Sequence, residues 1–237
     1  MMVPKMQEIE VRKLNYDFRT KESFKTLRSN IGFAGENIRV IGVTSTTPSE
    51  GKSSVTFELA KAFAENGDRV LLIDADLRKS VMKSRYKKAK VQDGLTNLLA
   101  GKAEFDDVLC QTDVPNFYTL LAGPVPPNPS ELLGGERFKE LIDLARNHFD
   151  IVIIDTPPVG SVIDAAVISR CCDGMIMVVR CGQISYRYAR KTKEQLEAAG
   201  AHIIGCILNG VEMSGKGYYG KYYGKYYGKY YGKYYGN

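Results

Sequence analysis

The sequence predicts an α/β fold, a mostly parallel sheet with helices on both faces. Three observations carry that expectation. Six short β-branched runs, "IRVIGVTS" (38–45), "RVLLIDAD" (69–76), "FYTLLAG" (117–123), "DIVIIDT" (150–156), "GMIMVVR" (174–180) and "HIIGCILN" (202–209), alternate with segments of helical length. Most of these runs are apolar without strict alternation, as strands covered on both faces are. Residues able to do chemistry gather at the ends of several runs, the edge where open parallel sheets bind ligands.

Taken in order, "ESFKTLRSNIGF" predicts a helix over residues 20 to 32. Phe24, Leu27 and Ile31 form its apolar stripe, while Glu22, Lys25 and Arg28 recur on another face. The first strand, 38–45, runs into a turn and then "KSSVTFELAKAFAENG", where Val55, Leu59 and Phe63 have helical spacing and Gly67 is a natural terminator. Two further helices are expected from Ser130 to Asn147 and from Ser185 to Ala199. Right-handed crossovers then give a parallel sheet, but its strand order is left open. The chain divides into an N-terminal segment (1–18), one α/β domain (19–215) and a tail (216–237). In the tail, "KGYYGKYYGKYYGKYYGKYYGN", five Tyr-Tyr-Gly units hold ten of the chain's fifteen tyrosines. A period of four drifts about 40° per repeat around a helix, and each Gly costs about 1 kcal/mol relative to Ala, so disorder is the expectation there.

Bulk composition narrows the function classes. With 44% hydrophobic residues in 237, the chain can bury one substantial core. No apolar run reaches the length of a membrane span and no leader is visible, which predicts a cytoplasmic protein. Five cysteines without a CxxC pair, and only two histidines, argue against a disulfide framework or a zinc site. Of the +6 net charge, Lys221, Lys225, Lys229 and Lys233 supply four, so the rest is close to neutral and no nucleic-acid partner is expected. The basic run 78–90 reads most simply as a solvated surface, the alternative being contact with an acidic partner or an anionic membrane face.

The chemistry begins at "TSTTPSEGKSSV". A tight turn of backbone N–H groups, a lysine (Lys52), a hydroxyl (Ser53) and a helix N-terminus behind them are what binding of ATP phosphates and Mg²⁺ demands, although the strict pattern has Gly where Thr46 stands. Asp74 and Asp76 alternate at the end of "LLIDADLR", so both carboxylates point to one side. Asp155 closes "IVIIDTPP" as an acid holding Mg²⁺ must. Lys52 and Asp155 are expected to be exposed at this edge. Asn209, closing "IIGCILN", either reads the adenine amino group or is a turn residue before Gly210.

"TSTTPSEGKSS", "LLIDADLRK", "LLAGPVPPNPSELL" and "FDIVIIDTPPVGSVIDA" resemble, in order and context, the Walker A, A′ and B segments of bacterial tyrosine kinases that govern capsule and exopolysaccharide synthesis. The similarity covers nearly the whole chain and implies a P-loop NTPase-like fold. It implies a nucleotide site of Thr47, Pro48, Ser49, Glu50, Gly51, Lys52, Ser53, Ser54 and Asn209, and a metal set of Ser53, Asp76 and Asp155. Catalytic roles fall to Lys52, Asp74 and Asp76, with Asp74 the candidate for accepting or orienting the phenolic proton and Asp76 the alternative base. The tail tyrosines Tyr218, Tyr219, Tyr222, Tyr223, Tyr226, Tyr227, Tyr230, Tyr231, Tyr234 and Tyr235 become phosphoacceptors, which gives the tail a purpose.

The resemblance further implies a homo-oligomer, a ring being one form of it, built through Glu22, Lys25 and Arg28. Its remaining partners are a transmembrane polysaccharide co-polymerase that activates the kinase and holds it at the inner face of the membrane, and a tyrosine phosphatase. Two departures stand out: Ser49 replaces a glycine common in the family, and Lys25 replaces an arginine. Two other classes compete. A partitioning-type ATPase switch shares these motifs but carries a lysine where Thr47 stands, and a nucleotide-binding scaffold could use the tyrosines as an adhesive.

Overall fold

A computed structural model describes residues 7–35, 37–87, 91–160 and 163–211. The tyrosine-rich tail, with its expected disorder and its phosphoacceptors, lies outside the described residues.

Six strands form a continuous parallel block. They are β2 (Val40–Ser45), β3 (Val70–Asp74), β6 (Phe117–Leu120), β7 (Ile151–Asp155), β8 (Gly174–Arg180) and β9 (Ile203–Asn209), within two residues of the predicted starts and three of the predicted ends. Short additions extend the sheet on one side: β1 (Gln7–Val11), β4 (Tyr86–Lys87) and β5 (Leu109–Thr112). The order is β4-β1-β5-β6-β3-β7-β2-β8-β9, with β5 antiparallel to β6 and β4 antiparallel to β1. Sequence reasoning passed over β1 although its Ile9 and Val11 alternate with charged residues and turn inward. Two-residue β4 carries no periodicity to read.

The central strands are buried end to end, which explains their unbroken apolar runs. Their side chains still alternate between faces. Ile41, Val43, Leu72, Ile153, Ile176 and Val178 enter a core under α2 (Lys52–Ala64). Val40, Leu71, Ile73, Val152 and Ile154 enter the opposite one. There they meet α3 (Leu95–Leu99), α4 (Phe105–Val108), α5 (Pro129–Gly134), α6 (Glu136–His148) and α7 (Asp164–Ser169). Beyond β8, α8 (Tyr186–Ala198) adds Leu196 against Met175 and Met177.

Helix α1 (Phe18–Ala34), capped by Asp17 whose carboxylate accepts from Thr20 N at 2.8 Å, lays Phe24, Leu27 and Ile31 over α2. With the sheet below and α1 above, α2 is buried on nearly all sides. The single helix expected over 130–147 is two: Gly135 adopts extended backbone, ending α5 and opening α6. Among the described residues, no helix is long and apolar enough to cross a membrane.

The basic run is used partly inside the molecule. Arg78 pairs with Asp164, Lys83 donates to the Val91 carbonyl, Arg85 reaches Ser54 and Lys87 pairs with Glu10.

Gly42, in the middle of β2, has no room for a side chain, since a Cβ would lie 2.2 Å from Met175 Sδ and 3.0 Å from Cys172 Sγ. Gly42→Val is therefore predicted to lose about 1–3 kcal/mol of stability, measured by urea unfolding, through overpacking at this crossing. An unchanged midpoint would mean that Met175 moves aside freely.

Candidate active site

The strand order settles what can meet. Because β7 lies between β2 and β3, the turn after β2, the aspartate ending β7 and the aspartate ending β3 share one edge. Asp74 and Asp155 are direct neighbours in the β3–β7 ladder, and Val43 is the partner of Asp155 on the other side.

The turn after β2 is shaped by residues with left-handed backbone. Ser49 has φ +68° and Gly51 φ +84°. Gly51 is obligatory, because a Cβ there would fall 2.1 Å from Asn209 Nδ2. Ser49 has a side chain in a conformation that favours glycine, so its departure from the family pattern carries strain of about 1–3 kcal/mol. Thr46, at the strict pattern's glycine position, is wholly buried and its hydroxyl donates to Glu50. The buried Glu50 carboxylate also accepts from Thr47 N at 2.5 Å and, through its other oxygen, from Arg180 N at 3.0 Å at the end of β8. Asn209 Nδ2 donates to the Glu50 carbonyl at 2.9 Å, while its Oδ1 accepts from Gly210 N. Both Glu50 and Asn209 thus brace the turn against the ends of β8 and β9.

Lys52 opens α2 and its Nζ lies 2.6 Å from Asp155 Oδ1 and 3.1 Å from Ser53 Oγ. Thr56 Oγ1, one helical turn on, sits 3.1 Å from the same carboxylate oxygen. Contrary to expectation, these groups are not exposed: Lys52 is 6% and Asp155 1% accessible. Both sit where the start of α2 meets the ends of β2 and β7, and the ion pair compensates the two charges.

Asp74 is equally buried. Its Oδ2 accepts from Ser80 Oγ, while Oδ1 has no hydrogen-bond partner among the described residues. Burial pushes the Asp74 carboxyl up to about 7, the neighbouring Asp155 adding to the rise against the lowering by Ser80 and Lys52. Asp76 is more open and accepts from Lys79 N at 3.0 Å.

The remaining expected residues fall in different places. Pro48 and Ser49 are exposed at the tip of the turn. Ser54 faces away from this edge, toward Arg85. On α1, exposed Lys25 pairs with half-buried Glu22 at 2.6 Å, and Arg28 Nη1 donates to the Ala62 carbonyl of α2 at 3.0 Å, so part of the trio is spent within the molecule. Sequence reasoning missed Thr56, Ser80 and Asp164. Asp164 could have been suspected as a lone charge opening the apolar "VIDAAVIS".

A strand–turn–helix with a lysine at the helix start, beside two buried carboxylates at the C-terminal edge of a parallel sheet, defines a P-loop nucleotide-binding protein. A family model described as an AAA domain matches residues 38–199. Tyrosine-protein kinase CpsD of Streptococcus agalactiae serotype III (strain NEM316) is 44% identical over 207 residues, 87% of this chain and 89% of that protein. The kinase domain of Escherichia coli tyrosine kinase ETK superposes with a TM-score of 0.79 at 35% identity, over 87% of this chain and 85% of that one. The septum site-determining protein MinD of Pyrococcus horikoshii OT3, complexed with Mg-ADP, follows at 0.60 and 27%, over 72% of this chain and 69% of its own. The chain belongs to the bacterial tyrosine-protein kinases.

Asp74 provides a test of this electrostatic picture. Its carboxyl titrates near 7 when folded and at ~3.9 when unfolded, so the folded state holds the extra proton between those values. The stability it lends is full below about pH 4, falls as pH rises through about 7 and then levels off. Asp74→Asn has no such slope, so thermal unfolding without nucleotide or metal should show the variant gaining on wild type between about pH 5 and about pH 8. A gap that stays constant across that range would identify an ordinary carboxyl.

Proposed function

We propose that the protein is an ATP-dependent protein-tyrosine kinase acting on the tyrosines of its own tail, in trans within a homo-oligomer. The observation that carries this reading is the buried Lys52–Asp155 pair beside Asp74, whose Oδ1 is enclosed and unpartnered. Asp155 Oδ1 and Ser53 Oγ converge on one point, now held by Lys52 Nζ, and a carboxylate beside a hydroxyl suits a divalent cation, whose charge would offset what Lys52 alone now balances. The residues present therefore fit Mg²⁺. Among the described residues no three His, Cys, Asp or Glu groups form a metal cage by themselves.

In this reading Ser53, Asp76 and Asp155 would hold the cation, which would offset part of the charge on the phosphoryl group that ATP supplies. Lys52 turns from Asp155 to the phosphate oxygens, and the amides at the start of α2 face the same charge. Asp74 orients the acceptor phenol and holds its proton, a role suited to a carboxyl that titrates near neutrality. The bracing of the Thr46–Gly51 turn by Glu50 and Asn209 keeps these donors in place before substrate arrives.

The wider role follows the family: control of capsular or exopolysaccharide synthesis and export. The protein would work in the cytoplasm at the inner face of the membrane, bound to a transmembrane polysaccharide co-polymerase that activates it, with a tyrosine phosphatase reversing the modification. No nucleic acid takes part.

A random-coil segment of 21 residues, the length of 217–237, has an r.m.s. reach of about 25 Å, enough for a neighbouring subunit's site. Lys52→Met protein with an intact tail, mixed with active protein lacking residues 217–237, should acquire anti-phosphotyrosine signal with MgATP while either alone stays unlabelled. An unlabelled mixture, with wild type labelled normally, would move the transfer to cis. Absence of label on wild type would overturn the kinase reading.

A further inference from the structure

The segment that carries the two aspartates of the A′ motif is tied down twice on the inside. Asp74 accepts from Ser80 Oγ, and Asp76 Oδ1 accepts from Lys79 N at 3.0 Å. The orientation of both carboxylates therefore depends on the path of the chain from residue 76 to residue 80. Arg78 lies in the middle of that path, and its side chain leaves the site altogether. Its Nε donates to Asp164 Oδ2 at 2.8 Å, and its Nη2 lies 3.2 Å from Asp164 Oδ1 and 2.9 Å from Ser130 Oγ. Ser130 Oγ closes the triangle by donating to Asp164 Oδ1 at 2.5 Å.

The three members come from the A′ loop, the N-terminus of α5 and the first turn of α7. Asp164 is 0% accessible, whereas the Arg78 side chain is 39% accessible, so the fixed point is the aspartate. The two short helices that present Ser130 and Asp164 are themselves in close contact, since a Cβ on Gly134 would lie 3.3 Å from Val167 Cγ1. A doubly hydrogen-bonded guanidinium–carboxylate pair with its carboxylate buried is directional as well as charged, which is what holding a loop in one register requires.

We infer that Asp164 and Ser130 are positioning residues of the kinase reaction, anchoring Arg78 and through it the loop that aims Asp74 and Asp76. The role rests on the kinase reading above. Neither residue touches nucleotide or acceptor. They set the geometry of groups that do, and a displacement of about 1 Å at such groups lowers turnover by up to about 100-fold.

The test uses the full-length chain and an added tyrosine-containing acceptor peptide, with fluorescent-ATP binding and thermal unfolding measured alongside. Asp164→Asn and Arg78→Lys should each lower kcat about 10- to 100-fold, with nucleotide affinity within about twofold of wild type because the turn at Lys52 is untouched. Ser130→Ala keeps the Arg78–Asp164 pair and should show a smaller fall in kcat; it keeps the test open if Asp164→Asn fails to fold. The Arg78→Lys/Asp164→Asn double variant should be no slower than the slower single one, since both break one link. Wild-type kcat in Ser130→Ala and Arg78→Lys would overturn the inference, as would losses that track only the unfolded fraction. If wild type fails to label the peptide or its own tail, the kinase reading itself fails instead.

Discussion

An ammonium and a carboxylate 2.6 Å apart, both withdrawn from water, set the terms for the rest of this structure. Burying such a pair carries a desolvation cost that only close geometry and further hydrogen bonds offset. Here Ser53 and Thr56 supply those bonds, and the geometry requires three things at once. Helix α2 must begin where β2 ends, β7 must lie directly beside β2, and Asp155 must stand at the last position of β7. The P-loop, the Walker B aspartate and the middle of the strand order are in this sense one requirement.

What the pair leaves uncompensated is Asp74. It shares the same edge through the β3–β7 ladder, and its own partner Ser80 satisfies only one oxygen. A single lysine faces two buried carboxylates, and the protein meets that imbalance by holding Asp74 near neutrality in its titration. Unbalanced charge of this kind is a burden on stability, and strongly perturbed carboxyls gather where proteins bind or react.

Family membership and fold say different amounts here. A TM-score of 0.60 to MinD reports the shared sheet and P-loop, and that scaffold serves more than one chemistry. The longer match to the ETK kinase domain takes in more of this chain. The clamp formed by Arg78, Ser130 and Asp164 joins the A′, PPNPSELL and post-Walker B segments, three of the stretches on which the kinase resemblance rests.

The sequence by itself determined the parts whose signal is local. Apolar runs bounded by turns placed the six parallel strands, helical spacing placed α1, α2 and α8, and Lys52, Asp74, Asp76 and Asp155 were legible because phosphate and metal chemistry demands those types at strand ends. The tyrosine repeat was equally plain, though its structure lies outside the described residues. Only the tertiary structure decided which ends meet, since strand order depends on long-range packing that no periodicity encodes. It also reversed the expected exposure of Lys52 and Asp155, because burial is set by how the start of α2 packs against the strand ends. Thr46, Glu50 and Asn209 proved to be braces, and Asp164 an anchor, through contacts spanning 4 to 159 residues in sequence. Side chains that work through such partners carry no signature of their own, because a buried carboxylate and a solvated one are the same letter until the fold surrounds them.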